Sequence, residues 1–413
     1  MSARRKLSQG DFDLIAAAHA RYVEGKPGGR RLVLKFVDLG GLDLSGRLLD
    51  DADFTGSSFE GTRLIRAWLE RAILFGCDLR KADMRGARLR RADLRGVSLR
   101  GANLALADLT QADFREGRIA VPHPEKGLTQ LRHETRASDA EQTNFAGATL
   151  DHSRFDGTSA FRADFTDCSM RGAVLSGANL KDANLTGAMM EGAMVAGTNL
   201  EGASLRGAVL TGVDVESARL DRTELSGSLR SLDADAADRA EALMARIEAA
   251  ERWARTGGRE GTPANLDGED MRLLFERMKG RILPGVSARG ACLVGVDLSG
   301  TLLPGANLEG ADLRGAKLVG ADLRGARLTG ANLTRVSAAK VMLGPLPLGA
   351  GRQSPALLGS ARLRYGDLRD ADLSSAVLDS ADFTGALLSG ARLAGCSMRA
   401  IVLDETEGLD LVA

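Results

Sequence analysis

A large apolar residue returns at every fifth position along most of this chain. From Leu34 to Phe114 the series that begins Leu34, Leu39, Leu44, Leu49, Phe54 runs for 17 positions without a miss. Two residues before each stands a second, usually small residue, such as Ala52, Ala67, Ala82, Ala92 or Ala112. Asp or Asn often lies between the two, as in Ala92-Asp93-Leu94. A period of five fits neither the 3.6 of an α-helix nor the 2 of a flat strand. Small–polar–large is a short extended segment with two side chains inward and one outward. The next two residues, often ending in Gly, must turn the chain, and Gly tolerates the dihedrals of a tight corner. One pentapeptide is thus one side plus one corner. If four sides close a coil, residue n stacks on n+20, and coils rise by about 4.8 Å, the spacing of hydrogen-bonded strands.

The beat holds through three blocks. A second runs from Phe145 to Leu225, and a third from Leu293 to Leu343, resuming at Leu358 and continuing to Leu403. Stacking at n+20 puts Leu39, Phe59, Leu79 and Leu99 in one ladder and Phe145 on Phe165. The phenylalanines fall near block ends, where their volume is expected to close the core. Aromatics are 4% of the chain, so the interior must be narrow and lined by Leu and Ala. Fifty glycines could point to collagen, but there is no three-residue period and only 9 prolines. A leucine-rich repeat has a longer period with unequal internal spacing, which uniform fives exclude.

The units Ala92-Asp93-Leu94-Arg95-Gly96, Ala178-Asn179-Leu180, Ala311-Asp312-Leu313-Arg314-Gly315 and Ala321-Asp322-Leu323-Arg324-Gly325 resemble the A-(D/N)-L-x-x signature of the pentapeptide-repeat family. The resemblance covers residues 32–119, 143–230 and 282–403. It implies an all-β solenoid, the right-handed quadrilateral β-helix. The motif is specific for fold and says little about function.

A solenoid needs covered ends, because terminal coils expose backbone and apolar surface. Residues 1–31 are expected to supply an N-terminal helical cap, with a helix over Asp11–Glu24 whose Phe12, Ile15, His19 and Tyr22 share a face. Residues 120–142 lack the repeat and read as an irregular loop, a surface excursion between two stretches of one solenoid, with a true domain break as the alternative. The phase slips by one across it. Residues 231–281 read as a helical linker or cap, with the strongest helix over 233–256, then a single good repeat, Ala264-Asn265-Leu266-Asp267-Gly268, and a shorter helix near Glu269–Lys279. Tyr22 and Trp253 each precede a glycine cluster, which points to two capped lobes; one solenoid with an inserted helical hairpin is the alternative. Residues 344–355 are an irregular insertion; the gap around it from Leu343 to Leu358 is still three fives, so it is readable as a degenerate side of the solenoid. Residues 404–413 read as a tail.

No residue set carries a recognisable chemistry. Cys77, Cys168 and Cys396 occupy the small inward site and read as core fillers, while Cys292 falls outward. No Cys-x-x-Cys spacing exists, and His19, His123, His133 and His152 have no partner at metal or triad spacing. The many Asp residues fall at the polar site between inward residues, where the period explains them. No phosphate-binding loop, dinucleotide fingerprint or nucleophile elbow is present. No catalytic residue, metal or cofactor is expected. There is no signal peptide and no long apolar run, so a cytoplasmic protein without membrane insertion is expected.

Charge balance is the remaining clue. Lys plus Arg and Asp plus Glu are 55 each, which gives no global reason for a nucleic-acid binder or an acidic DNA mimic. Locally, residues 80–100 hold Arg80, Lys81, Arg85, Arg88, Arg90, Arg91, Arg95 and Arg100 against Asp83 and Asp93. Residues 144–229 carry 11 acidic and 7 basic residues. Trp68 stands at a normally polar site and should point outward, as an interface anchor or beneath the N-terminal helix. Trp68, Arg71, Arg80, Arg85, Arg91, Arg95 and Arg100 are therefore the candidate interaction residues, on one face. They point to a non-catalytic scaffold with an acidic protein partner. Some members of the resembled family bind DNA gyrase by imitating DNA, but those are acidic dimers, and this chain is neutral and Arg-rich. Gyrase binding and direct nucleic-acid binding through the Arg-rich coils are the alternatives.

Overall fold

A computed structural model describes residues 4–123, 127–233 and 235–409, with the side chains of 119–133 outside the description. The chain divides into two compact units, Met1–Ser231 and Leu232–Ala413. In both, the beat of five closes a coil in four sides. Single parallel bridges join each side to the one four pentapeptides further on, as in Asp38↔Ser58↔Asp78↔Ser98 and Asp312↔Asn332. Each side contributes one bridging residue, so the coils are stacks of isolated bridges rather than continuous strands. This is a fold of the β-helix type. Two hydrogen bonds accompany a regular bridge: Leu34 N–H donates to the Asp53 carbonyl at 2.8 Å, and Asp53 N–H to the Leu32 carbonyl at 3.0 Å.

The first unit opens with β1 (Arg5–Lys6) and α1 (Gln9–Val23), followed by β2 (Val37–Asp38), which pairs in parallel with β1. Ser8 caps α1, its hydroxyl accepting from the Asp11 amide, an oxygen-for-amide exchange that replaces a missing intrahelical bond. Phe12, Ala16 and His19 form the buried face of α1, and Phe12 and Ala16 join one core with Leu32, Leu39, Leu44 and Leu49. Polar contacts fix the same seat: Gln9 exchanges two hydrogen bonds with the Asp43 backbone, and Asp13 pairs with Arg47. The connection then returns against the last turn of α1. A Cβ at Gly29 would fall 2.5 Å from the Tyr22 amide nitrogen, so only glycine fits there.

Residues 120–142 are not an irregular loop. The antiparallel hairpin β3 (Gly117–His123) and β4 (Gly127–Arg136) fills most of them. The coil resumes directly beyond it, because Ser98 bridges Asp139 and Asn103 bridges Asn144. The step from Ser98 to Asp139 exceeds the regular one by four pentapeptides and a single residue, and that odd residue produces the phase slip. The phenylalanines here do not close an end. Phe114 stacks on Phe155 at 4.2 Å and Phe145 on Phe165 at 4.9 Å, inside a core continuous across the excursion. A 3₁₀ turn at Val215–Ser217 interrupts one side of the last coils.

The second unit opens with α2 (Ala236–Arg255), whose Leu243, Met244, Ile247 and Ala250 pack into one core with Met271, Leu274 and Met278. A 3₁₀ segment, Met271–Met278, carries these last three. Coil structure begins earlier than residue 282. Asn265 bridges Ser287 and Asp270 bridges Cys292, so residues 265–281 are a first coil and not linker. The insertion at 344–355 is likewise no degenerate side. It contains the hairpin β5 (Leu346–Gly349) and β6 (Arg352–Ser354). The step from Arg327 to Leu357 exceeds the regular one by two whole pentapeptides, which leaves the phase untouched. Glu407, within the stretch read as tail, still bridges Leu387.

Candidate functional site

In a coil of four pentapeptides, sequence neighbours occupy different sides. The outward columns of the first unit make this explicit. One side carries Asp53, Ile73, Asp93 and Asp113; the next, Asp38, Ser58, Asp78 and Ser98; the third, Asp43, Arg63, Asp83 and Asn103; the fourth, Leu48, Trp68, Arg88 and Asp108. Arg95 follows the first side, Arg80 and Arg100 the second, Arg85 the third, and Arg71 and Arg91 the fourth. The seven candidate residues therefore do not share one face. Four pentapeptides make a full circuit, and the Arg-rich segment is a belt. Among the seven, Arg80 stacks directly with Arg100 and Arg71 with Arg91, with Trp68 beside the latter pair.

Most of the belt is internally neutralised. Arg80 chelates Asp78, donating from Nε at 2.8 Å and from Nη2 at 2.6 Å, and Nη2 also reaches Glu60 at 3.1 Å. Arg85 holds Asp83 at 2.9 and 2.8 Å, and Arg95 holds Asp93 at the same distances. In each case the carboxylate also accepts the Arg backbone amide, as for Arg95 N–H at 3.2 Å. The arrangement is a clasp: outward Asp, a large inward Leu, Met or Phe, then Arg at the corner, with the carboxylate tying the corner amide down as in an Asx turn. Asp113–Arg115, Asp270–Arg272, Asp312–Arg314, Asp322–Arg324 and Asp367–Arg369 repeat it. Thr replaces Arg at some corners, the Thr55 hydroxyl donating to Asp53 at 2.6 Å. The period alone assigns these Asp residues to solvent. The sequence signal for the clasp is the recurring Asp-x-Arg.

The electrostatics follow this geometry. At Asp367 the Arg369 side chain outweighs burial and holds the carboxyl below its ordinary range. At Asp78 burial is the largest influence and works upward. The hydrogen bonds and charge of Arg80 together overcome it, so this carboxyl also lies low. The hydrogen bond from its side chain to Asp78 correspondingly raises the Arg80 guanidinium.

The remaining candidates are held differently. Arg71 makes a bidentate pair with Asp51 at 2.8 and 2.7 Å, and Arg100 pairs with Asp139 and Glu141 at 3.2 and 2.8 Å. Arg91 donates from Nε to the neutral Gln111 amide oxygen at 2.7 Å. Trp68 is half-buried, at the outward position of its side between Leu48 and Arg88. The exposed Arg88 guanidinium lies 3.8 Å from its ring centroid, a cation–π pair not foreseen from sequence. Both Arg71 and Arg91 hold φ of 56°, the left-handed corner conformation usual for Gly, which projects them from the edge.

Among the described residues, no three His, Cys, Asp or Glu side chains converge as metal ligands. No described helix is long and apolar enough to cross a membrane. The side chains of His123 and His133 lie outside the described residues. The four cysteines are free thiols. Cys77 donates to the Phe54 carbonyl at 3.0 Å, and burial pushes its pKa up to about 12.

The family model for pentapeptide repeats matches this chain in 8 copies, over residues 38–76, 77–116, 161–194, 195–227, 291–330 and 356–405. No curated protein matches it. Among solved structures, a trypsin-treated form of QnrB1, a plasmid-mediated fluoroquinolone resistance protein, is 18% identical over 53% of this chain and 96% of its own, with a TM-score of 0.27. HetL, a pentapeptide repeat protein involved in heterocyst differentiation regulation in the cyanobacterium Nostoc sp. strain PCC 7120, is 21% identical over 97% of this chain and 98% of its own, with a TM-score of 0.15. A pentapeptide repeat protein of the Arabidopsis thaliana thylakoid lumen is 23% identical over 31% of this chain and 68% of its own, with a TM-score of 0.19.

Proposed function

The chain belongs to the pentapeptide-repeat family, and on that premise we propose that it is a non-catalytic scaffold that presents a rigid coil surface to an acidic protein partner. The contact strip is the edge bearing Trp68, Arg88 and Arg91, with Arg71, already paired with Asp51, at its margin. The observation that carries this reading is the unequal neutralisation of the Arg belt. Clasped Arg80, Arg85 and Arg95 already satisfy a carboxylate each, whereas Arg91 meets a neutral amide and Arg88 lies on an indole. An aromatic ring flanked by guanidinium groups is the composition of an interface anchor. The clasps count against a nucleic-acid surface, because each removes a cation that would otherwise meet phosphate. We further read the coils as right-handed and quadrilateral, with α1 and α2 each capping the start of a unit. Free thiols throughout suit a reducing compartment such as the cytoplasm.

Affinity capture from the native host tests the strip. Wild-type protein should retain a partner that Trp68→Ala with Arg91→Glu loses and that Arg85→Glu keeps. Equal recovery with all three proteins would remove the strip from consideration. A change in gyrase supercoiling at micromolar protein would favour the DNA-mimic reading instead.

A further inference from the structure

We propose that His19 is a pH-sensitive latch, holding α1 on the first coil only while its imidazole is neutral. His19 is fully buried, one of three residues on the seated face of α1. Its Nδ1 accepts the Leu32 amide at 3.0 Å, so that nitrogen cannot carry a proton in this geometry. The ring proton therefore sits on Nε2, which is buried and has no hydrogen-bond partner. Adding a second proton places Nδ1–H against the Leu32 N–H, two donors facing each other. The polar bond between this face and the first coil is then lost, and a cation is left under the helix. Both effects favour detachment.

The surroundings do not rescue the cation. Burial is the largest influence on the ring and lowers its pKa; the backbone carbonyls of Asp50 and Arg30 and the carboxylates of Asp50 and Asp51 act in the opposite direction and fall short. Asp51 is already committed to Arg71, and the Arg31 guanidinium donates to its carbonyl at 2.7 Å. Asp50 accepts the Glu70 amide at 2.7 Å, and burial, assisted by the Glu70 charge, raises its pKa. Asp50 thus tends to lose its charge in acid, when a protonated imidazole would most need it. From α1 itself the Tyr22 ring faces His19, stacked at 5.7 Å.

The sign follows from linkage. A base whose pKa is lowered in the docked state favours docking above its free value of about 6.5, and docking weakens as pH falls below it. The ratio of detached to docked α1 should rise roughly tenfold per pH unit below that value, until the docked ring titrates. Hydrogen exchange of the α1 amides in the full chain, corrected for intrinsic rates, reads this ratio. Between pH 7.5 and 5.5 wild type should open about tenfold more, while His19→Gln, which can still accept the Leu32 amide, should show no such rise. A flat wild-type profile, or the same slope in His19→Gln, overturns the latch. Should His19→Gln detach at every pH, NMR titration of the wild-type imidazole decides. A midpoint below the free value with α1 docked supports the latch, and one at or above it overturns it.

Discussion

The two hairpins interrupt their coils in different ways. β3–β4 adds four pentapeptides and a single residue to one coil of the first unit and shifts the sequence beat, while β5–β6 adds two whole pentapeptides to a coil of the second and leaves the beat in step. In space both coils close again at once, with Ser98 on Asp139 and Arg327 on Leu357. What is preserved is the bridge between coils rather than the spacing along the chain. The cores at the two sites also differ. Four phenylalanine rings pack beside the first hairpin, whereas Leu323, Leu328, Leu343 and Leu358 line the core beside the second. The two units nevertheless begin alike. Each has a helix on its first coil and a connection pressed against the last turns of that helix, through Gly29 beside Tyr22 and through Gly261 beside Ala249 and Trp253.

The largest expected break in this comparison is in the aromatic core. Phe155→Ala should destabilise the first unit by about 4 kcal/mol, and Leu328→Ala the second by about 3 kcal/mol. Hydrogen exchange of core amides in each unit would register the loss separately. Equal losses would mean that the rings contribute no more than leucine does.

The glycines come next. A Cβ at Gly261 would lie 2.0 Å from the Ala249 carbonyl oxygen, at a φ of +79°, whereas Gly29 has the close approach without the positive φ. Gly261→Ala should therefore cost about 3 kcal/mol and Gly29→Ala about 2 kcal/mol, read from chemical denaturation. The reverse order would show that the α1 connection is the more tightly held.

Removing the hairpins should matter less. Deleting 117–137 restores the regular step in the first unit, and deleting 345–354 does so in the second. Each should change stability by about 1 kcal/mol or less, since closure entropy grows slowly with loop length. Loss of cooperative unfolding in either deletion would show that its hairpin also supports the coil.

The clasps give the smallest effect. Asp367→Asn should cost about 0.5 kcal/mol at pH 7, because the pair is largely exposed. The carboxyl lies low when folded, so its contribution is present above the ordinary carboxylate range and is lost as pH falls through that range and below. The difference between wild type and Asp367→Asn should therefore shrink in thermal melts as pH is lowered through the ordinary carboxylate range and further below it.

Much of this was legible in the residues themselves. The inward ladders follow from spacing alone, and Phe145 does lie on Phe165. The helices near 11–24 and 233–256 appear within a few residues of their expected bounds, as α1 (Gln9–Val23) and α2 (Ala236–Arg255). The hairpins were hidden for two different reasons. The first carries no beat to follow, and the second has a length divisible by five, which mimics missing repeats. The candidate site was harder to read, because proximity along a coil is not proximity in space. Arg85 and Arg91 are close in sequence and belong to different sides, while Arg71 and Arg91 are a whole coil apart and adjacent. Pairing was equally invisible to charge counting. Arg80 and Arg91 look alike as letters, but one grips a carboxylate just before it in the chain and the other reaches a neutral amide on the next coil.

A stack joined by one bridge per side also sets rules for how such a chain can change length. Gaining a complete circuit leaves every outward column aligned above and below. Gaining a single pentapeptide turns everything downstream by a quarter revolution. The inward residues still meet inward residues, so the interior scarcely registers the event, yet each exterior column is spliced to a different one. Exterior patterns can thus be reshuffled by lengthening alone, with no amino-acid replacement. Trp68 and Arg88 are neighbours only because a whole number of circuits separates them.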